Sequence, residues 1–433
     1  MAVRKARGGG KGWAIPSEGL RTQFRDEIIA SNEPGVPVGL EEFETWVRGK
    51  AERELWFFSR WILDNTWLGE GRFHRDEACR FLTDYSKGRR KLLMLPMGHL
   101  KTTVASRSMP LHLMVQPQWT NIYEKGRLGR NYLILLANEN EQKSRDNLRV
   151  TRENLESNWK IHWLWPQICW PNLKDASPWT DSALTIPRSV ISAEPTLRSV
   201  GANTGFIGSY YDVIIADDIA TLAASDSPAV MEKVKRWREA SKTRLRDKIM
   251  GIYIGVGTHW ASAEDVYTVW KKEKNVQVML RAILEPDENG QMRPLWPEHY
   301  PMPVVEAMRA DIDPVLWATG YMNQQSTGGY TTLRWDDVRQ YKMMADAATG
   351  KTLLEFADNP LDELIDFRQT RRRETLGFKL GNPIDEMKLR REAPQGYDEA
   401  YVQHLKWKHP ERIPADAQAR SDLEIDEGFF GRK

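Results

Sequence analysis

Short apolar runs alternate with amphipathic stretches through the middle of the chain. Polar stretches with apolar residues at helical spacing, such as residues 140–158, separate the runs. This alternation of strand and helix predicts an α/β fold with a central, mostly parallel sheet that helices cover on both faces. Four runs have the length and composition of buried strands: KLLMLPM (91–97), NYLILLA (131–137), YDVIIADDI (211–219) and GIYIGVGTHW (251–260).

The amino-acid composition of the flanking segments suggests how the chain is divided into domains. The N-terminal residues are rich in glycine, proline and charge, which is typical of a mobile arm. Helical patterns over 40–63 and 75–88 lead into the first strand. The C-terminal hundred residues are highly charged and contain no run that predicts a strand. The predicted parts are a flexible basic arm (1–38), an α/β core (39–262), a lid or connecting subdomain (263–332) and a charged helical or irregular region (333–433).

Composition narrows the class of protein. Lys and Arg number 62 against 60 Asp and Glu, so the net charge of +2 leaves the question of nucleic-acid binding to local patches. Cys79 and Cys169 form no CxxC pair, which suits a reducing compartment. The basic N-terminus lacks the apolar core of a secretory signal, and no apolar run reaches the roughly 18 residues that span a bilayer. We therefore expect a soluble intracellular protein.

The first predicted strand runs into a segment similar to a phosphate loop. The signature of that loop is G-x-x-x-x-G-K-[ST]; Lys101 and Thr102 match it, but Leu95 and Leu100 occupy both glycine positions. Gly98 could supply the turn, Lys101 a charge for the β- and γ-phosphates, and Thr102 a hydroxyl for Mg²⁺. By itself the segment fits equally well a strand that ends in a glycine turn with a solvated lysine.

Two further strands end in polar residues. Asp217 and Asp218 follow the third strand, where one carboxylate could hold Mg²⁺ and the other could orient an attacking water. The fourth strand ends at Gly257 and Thr258, whose hydroxyl could sense a γ-phosphate. Alone, each segment is explained more simply by a helix cap or a turn. Because ligands of such folds bind at the carboxyl ends of the strands, the three segments together favour a nucleotide site.

With these segments, the sequence resembles the large terminase subunits of tailed bacteriophages, the motors that pump DNA into empty capsids. Pro96 to Thr103 resembles a family loop of the form Pro-Arg-Gly-His-x-Lys-[ST]-[ST], with Met97 at the arginine position. The strand that ends in Asp217-Asp218 looks like the family's "IIxDD" form. The resemblance covers roughly residues 55–340 and includes the segments GTHW (257–260), LWPEHY (295–300) and ATGYMNQQ (318–325).

The resemblance implies a P-loop NTPase of the ASCE type that uses ATP and Mg²⁺. The implied Mg²⁺ ligands are Thr102 and Asp217, and Phe73 would stack on the adenine base. Arg145 and Arg198 are candidates for an arginine finger supplied by a neighbouring subunit, although a solvated arginine is the simpler interpretation of each. The implied catalytic residues are Lys101, Asp217, Asp218 and Thr258, and the implied ATP-binding residues are Pro96, Met97, Gly98, His99, Leu100, Lys101, Thr102 and Thr103.

Two histidines near this loop lack partners at metal-ligand spacing. His74 and His99 have no other His, Cys or carboxylate at such a spacing, so we expect His99 to pack or to hydrogen-bond locally.

The implied partners are double-stranded DNA, contacted through its phosphates, a portal protein and a small terminase subunit. The chain would form a homo-oligomeric ring, docked transiently on a procapsid in the host cytoplasm. The basic stretches 232–248 and 368–374 could contact DNA or could simply be solvated.

The implied activity leaves alternatives open. Large terminases usually continue into an RNase H-like nuclease, whose acids hold two metals on strands. Asp346, Asp358 and Asp366 have no predicted strand beside them, so we expect no endonuclease activity from this chain alone and possible cutting by a separate nuclease. A helicase-like remodelling ATPase and a nucleotide-binding assembly module with little turnover are the competing functions.

Overall fold

The computed structural model describes most of the first 324 residues and two later strands. The chain divides after Tyr330 into two compact units. Asp346, Asp358, Asp366 and the basic stretch 368–374 lie outside the described residues. The described ranges are 15–69, 71–117, 119–120, 125–127, 129–202, 208–221, 227–260, 265–324, 341–345 and 352–356.

Helices make up much of the described chain, and none of those described is both long and apolar enough to cross a membrane. The α-helices are α1 (Glu18–Ala30), α2 (Leu40–Arg53), α3 (Leu55–Phe57), α4 (Cys79–Thr83), α5 (Met109–Val115), α6 (Glu141–Ser157), α7 (Trp159–Leu164), α8 (Pro228–Lys242), α9 (Val266–Lys271), α10 (Met302–Asp311) and α11 (Pro314–Leu316). Wider π-helical turns occur at Phe58–Ile62, His74–Ala78, Thr103–Ser108 and Trp317–Tyr321.

The strands form one large sheet and several hairpins. They are β1 (Arg90–Met94), β2 (Trp119–Thr120), β3 (Lys125–Arg127), β4 (Ile134–Asn138), β5 (Ala183–Leu184), β6 (Leu197–Gly201), β7 (Val213–Asp217), β8 (Ile252–Gly257), β9 (Gln277–Leu280), β10 (Leu284–Pro286), β11 (Met292–Pro294), β12 (Tyr341–Ala345) and β13 (Thr352–Phe356).

Among the described residues, seven strands form the central sheet in the order β5-β6-β4-β7-β8-β1-β9. Every neighbouring pair is parallel except β5 and β6, which are antiparallel. The predicted α/β architecture with a mostly parallel sheet is therefore confirmed. Asp217 pairs with Val256 and Met94 with Gly257, so β7, β8 and β1 end at the same level.

Side chains that alternate along the strands supply two hydrophobic cores. On β7, Val213 and Ile215 belong to one core, whereas Ile214 and Ala216 belong to the other. The first core includes the helices that precede β1, and the second includes Trp237 of α8 and Trp270 of α9. Strands buried on both faces explain why these segments are continuous apolar runs.

The predicted arm is shorter than the sequence suggested. Residues 1–14 lie outside the described residues, but Glu18–Ala30 form α1, which Ser17 caps by accepting a hydrogen bond from the Leu20 amide. Phe24 and Ile28 of this helix are buried in the first core. Their i, i+4 spacing is a helical signal that the glycine- and charge-rich surroundings obscured.

The predicted boundary of the lid at residue 263 is also wrong. Strand β9 lies within the predicted lid, yet it pairs in parallel with β1 and completes the edge of the sheet. A separate small core does exist after it, formed by Ile283, Leu284, Val305 and Trp317. The residues that form this small core therefore all follow β9, and a lid or connecting subdomain stays a prediction.

The expectation of a strand-free C-terminal region is wrong as well. Strands β12 and β13 pair in antiparallel register, with Tyr341 opposite Phe356 and Ala345 opposite Thr352. Neither segment is rich in β-branched residues, so composition gave little signal for a strand. One reason for expecting no nuclease is thereby removed, and the absence of that activity stays a prediction.

The second core depends on two glycines of β8 against which α9 packs. A Cβ at Gly255 would overlap the Trp270 ring, and one at Gly257 would overlap the Tyr267 ring. We expect Gly255→Ala to lower the free energy of unfolding by about 1–3 kcal/mol because the ring must move. Urea denaturation measures this. The control is Gly19→Ala in α1, which meets nothing within 4 Å and should not destabilise the protein. Equal stabilities of the two variants would contradict this packing.

Candidate functional site

The predicted site residues converge where β1, β7 and β8 end. After Met94 the chain turns through residues 95–100, and Lys101 and Thr102 begin a helix that continues through the π-helical turn Thr103–Ser108 into α5. The ends of β7 and β8 lie beside this turn because the register is level. A parallel sheet places its ligands at this edge.

The turn contains two residues in the left-handed region. Gly98 has φ 79°, and Leu100 has φ 56°. Leu100 therefore adopts the backbone conformation that suits glycine, at the position where the phosphate-loop signature has glycine. A side chain in this region costs about 1–2 kcal/mol, and such strain persists only where the surroundings hold it. Leu100 packs against the first core, which helps to hold it.

Asp217, the last residue of β7, links this strand through hydrogen bonds to the helix that follows the turn. Its carboxylate accepts hydrogen bonds from Thr102 Oγ1 at 3.2 Å and from Ser106 Oγ at 2.7 Å. Asp217 is only 1% exposed, and burial together with the neighbouring Asp218 raises its pKa. The nearby Lys101 ammonium opposes this rise. Residues far apart in sequence thus meet at one buried carboxylate.

Asp218 and Thr258 contribute buried oxygens that have no partner among the described residues. These atoms are Asp218 Oδ1 and Thr258 Oγ1. Asp218 has φ 44°, and its backbone is fixed because its amide donates to the Val256 carbonyl at 2.9 Å. Burial raises the pKa of Asp218, and the charges of Lys101 and Lys143 oppose the rise. Because buried polar atoms normally have partners, these two oxygens are candidates for contacts with a polar ligand or water.

These donors and acceptors fit a nucleotide with a divalent cation. Mg²⁺ prefers oxygen ligands and keeps several waters, so Thr102 and Asp217 suffice as the protein's share. The described residues contain no group of three or more His, Cys, Asp or Glu side chains that could enclose a metal by itself. Lys101, which is 9% exposed, supplies the positive charge that a triphosphate requires.

An aromatic bracket, which we define as Trp296, His299 and Tyr300, packs against the turn. His99 stacks on Tyr300 with ring centroids 5.0 Å apart, and a Cβ at Gly98 would overlap the Tyr300 hydroxyl. The Met97 amide donates to the Gly320 carbonyl at 2.9 Å. Trp296, Tyr300 and Gly320, which belong to the two segments singled out by the resemblance, therefore hold the turn in place.

His74 and His99 act as structural residues. His99 Nδ1 donates to the Met97 carbonyl at 3.1 Å, and His74 Nε2 donates to the His99 carbonyl at 3.1 Å. Burial lowers the pKa of each imidazole to about 4, so both are neutral at pH 7. The expected local packing and hydrogen bonding of His99 is confirmed.

Three other predicted residues lie elsewhere. Phe73 is buried, and the Arg281 guanidinium lies over its ring, which does not favour stacking on adenine. Arg145 forms an ion pair with Glu141 one turn earlier on α6. Arg198 lies close enough to Tyr211 for its charge to oppose the burial that raises the pKa of that hydroxyl, at the end of the sheet opposite Asp217. A role for either arginine in a neighbouring subunit stays a prediction.

Several residues of the site were not predicted from the sequence. Ser106 is four residues after Thr102, and this helical spacing could have placed both hydroxyls on one side. Lys143 near Asp218, and the contacts of Tyr300 and Gly320 with the turn, had no such signal because they depend on tertiary packing.

No protein-family model matches the chain, and no curated protein matches its sequence.

The junction at Asp217 makes Ser106 important for stability. We expect Ser106→Ala to lower the free energy of unfolding by about 1–3 kcal/mol, since a buried carboxyl oxygen loses its donor. Thr103→Ala is the matched control on the same helix, because no hydrogen bond joins Thr103 to Asp217. Urea denaturation compares the two. A Ser106 variant as stable as the control would show that the hydrogen bond contributes little.

Burial of His74 makes stability depend on pH. Its folded-state pKa of about 4 lies below the unfolded value of about 6.5. Its contribution is therefore complete above about pH 6.5 and is lost as the pH falls towards 4. We expect His74→Gln to lose less stability than wild type between pH 7.5 and 5, as measured by urea denaturation. Because both proteins contain the same acids, the titration of those acids cancels in the difference between the two stabilities. Identical pH profiles would contradict this role of His74.

Proposed function

We propose that this chain is an ATP-hydrolysing motor of the large-terminase type, built on a P-loop NTPase fold, that translocates double-stranded DNA. The observation that carries the proposal is the meeting of Thr102 and Ser106 with the buried carboxylate of Asp217, beside Lys101. A strand that ends in an acid beside a Lys-Thr helix start is the arrangement that positions Mg²⁺ and triphosphate in such enzymes.

Each side chain then has a distinct task. Lys101 neutralises negative charge on the phosphates, while Thr102 and Asp217, which form a hydrogen bond to each other, are the residues that would hold the cation. A Mg²⁺ ion held by Thr102 and Asp217 would supply positive charge at the phosphate oxygens. Asp218 accepts a hydrogen bond from the attacking water through its unpartnered oxygen, and Thr258 responds to the γ-phosphate.

One observation favours a nucleotide-binding assembly module with little turnover as the second candidate. Met97 stands where the resemblance expects an arginine, and its backbone and sulfur both lie against Gly320. The chain thus lacks at this position a charge that would stabilise the γ-phosphate in the transition state. Turnover then depends on another arginine, such as one from a neighbouring subunit. A helicase-like ATPase remains the third candidate and would separate DNA strands.

The assembly partners in this proposal rest on the resemblance alone. A portal protein, a small terminase subunit, a ring of copies and docking on a procapsid in the host cytoplasm belong to the proposal as expectations.

The decisive experiment is a DNA-stimulated ATPase assay with Mg²⁺. We expect Lys101→Ala and Asp217→Asn each to reduce turnover by about 10²–10³-fold, because the first removes the positive charge beside the phosphates and the second weakens a ligand of Mg²⁺. Lys174→Ala, on the exposed turn Leu173–Asp175, is the control and should match wild type.

The outcomes separate the candidates. Wild type no faster than Lys101→Ala, even with DNA and assembly partners, would refute the motor. Binding of a fluorescent ATP analogue without hydrolysis would instead support the assembly module. ATP-dependent separation of a labelled duplex would favour the helicase-like enzyme.

A further inference from the structure

The edge of the sheet opposite the candidate site has its own architecture. Strand β7 spans five residues, so the Cα atoms at its two ends are about 13 Å apart. Before β7, Tyr211 pairs with Leu245 of the segment that follows α8. The Tyr211 amide donates to the Arg244 carbonyl, and the Arg246 amide donates to the Tyr211 carbonyl, both at 2.8 Å. This pairing fixes the segment against the amino end of the sheet.

The pairing gives the segment a polarity. Leu245 is completely buried in the second core, whereas Arg246 and Lys248 are exposed and Arg244 is partly exposed. Arg244 and Lys248 lie over the ring of Tyr210, with their charged groups 5.7 and 6.0 Å from its centroid. Tyr210 is itself 47% exposed. Two cations and an aromatic ring thus share one accessible surface.

The backbone of this segment is ordered by the cations themselves. Lys248 Nζ donates to the Thr243 and Leu245 carbonyls, and Arg90 at the start of β1 donates to the Lys248 carbonyl at 3.2 Å. Asp247, the one acid of the segment, uses its carboxylate to accept the backbone amides of Ile249 and Met250. The cationic groups are therefore held in a defined arrangement.

The cations of this segment have fewer ion pairs than those of the helix before it. On α8, Arg238 and Lys242 form ion pairs with Glu239 and Glu273, and Arg236 lies 4.0 Å from Glu232. Within the described part of the chain, Arg244, Arg246 and Lys248 have a single ion pair, from Arg246 to Asp212 at 3.8 Å. Lys233 and Lys235 of α8 likewise have no ion pair among the described residues, so the ion-paired cations of the basic stretch 232–248 are three on α8 and one, Arg246, in the segment after it.

We infer that the cationic edge, formed by Arg90, Tyr210, Arg244, Arg246 and Lys248, binds the sugar–phosphate backbone of double-stranded nucleic acid. Cations held in a fixed arrangement on an accessible surface suit a polyanion, and Arg244 and Lys248 have no ion pair among the described residues. Phosphate contacts carry no sequence preference. The inference rests on the proposed function for its partner. It places DNA at one edge of the sheet and the nucleotide at the other, so β7 and β8 link the two.

The test measures binding of a fluorescent DNA duplex by anisotropy at several salt concentrations. We expect the double variant Arg244→Gln/Arg246→Gln to bind at least about 10-fold more weakly, with a salt slope reduced by about 2, since each phosphate contact contributes about 0.9. Arg244→Lys/Arg246→Lys keeps both charges and should retain most of the affinity.

The matched control is Lys233→Gln/Arg236→Gln, which removes the same charge from exposed positions on α8. It should bind DNA as wild type does. Equal weakening by both double variants would show a bulk charge effect, and no weakening by the Arg244/Arg246 variant would exclude this edge. If that variant instead loses self-association and keeps DNA binding, the edge is an interface between copies and the inference fails. Thermal unfolding verifies that the variants are folded.

Failure here can be distinguished from failure of the proposed function. Wild type that binds DNA through this edge yet hydrolyses no ATP would contradict the motor and leave the inference intact. If wild type shows DNA-stimulated ATP hydrolysis and Arg244→Gln/Arg246→Gln binds DNA as well as wild type does, the motor is supported and the inference is contradicted.

Discussion

The buried carboxylate of Asp217 is the constraint on which the site depends. A carboxyl group removed from water is unfavourable unless donors satisfy it, and here Thr102 and Ser106 supply them. Both donors lie on the helix that begins at Lys101, so the helix must dock at the end of β7. Once it does, Lys101 lies close enough to both acids to oppose the rise in their pKa values. The site is therefore assembled by two hydrogen bonds to one buried carboxylate.

The turn before that helix has a strained backbone at Leu100. Leu100 adopts a left-handed conformation that glycine would adopt more readily, but its side chain adds apolar contacts with the first core. His99 against Tyr300, and Met97 against Gly320, fix the turn from the other side. A leucine at the signature's glycine position is thus compatible with the loop geometry. In the proposed motor, the missing positive charge at Met97 is the feature that bears on turnover.

The two edges of the sheet differ in charge and in burial. The carboxyl edge holds buried acids beside two lysines, and the amino edge holds exposed arginines beside a tyrosine. Parallel strands place these groups at opposite ends of the same rigid elements. In the proposed motor, ATP and DNA therefore bind at opposite ends of these strands, and β7 and β8 connect the two binding sites.

The sequence by itself determined the strands that build the centre of the sheet, because β1, β4, β7 and β8 are continuous apolar runs that only a doubly covered sheet can bury. It also determined which polar residues end β1, β7 and β8, and hence that Lys101, Asp217, Asp218 and Thr258 would share one edge. Only the tertiary structure decided the partners of those residues. The bond from Ser106 to Asp217, the bracket beside Gly98, the buried face of α1 and the pairing of β9 and of β12 with β13 join segments whose local patterns were weak. Such contacts depend on the distance between segments in space, which local periodicity does not encode.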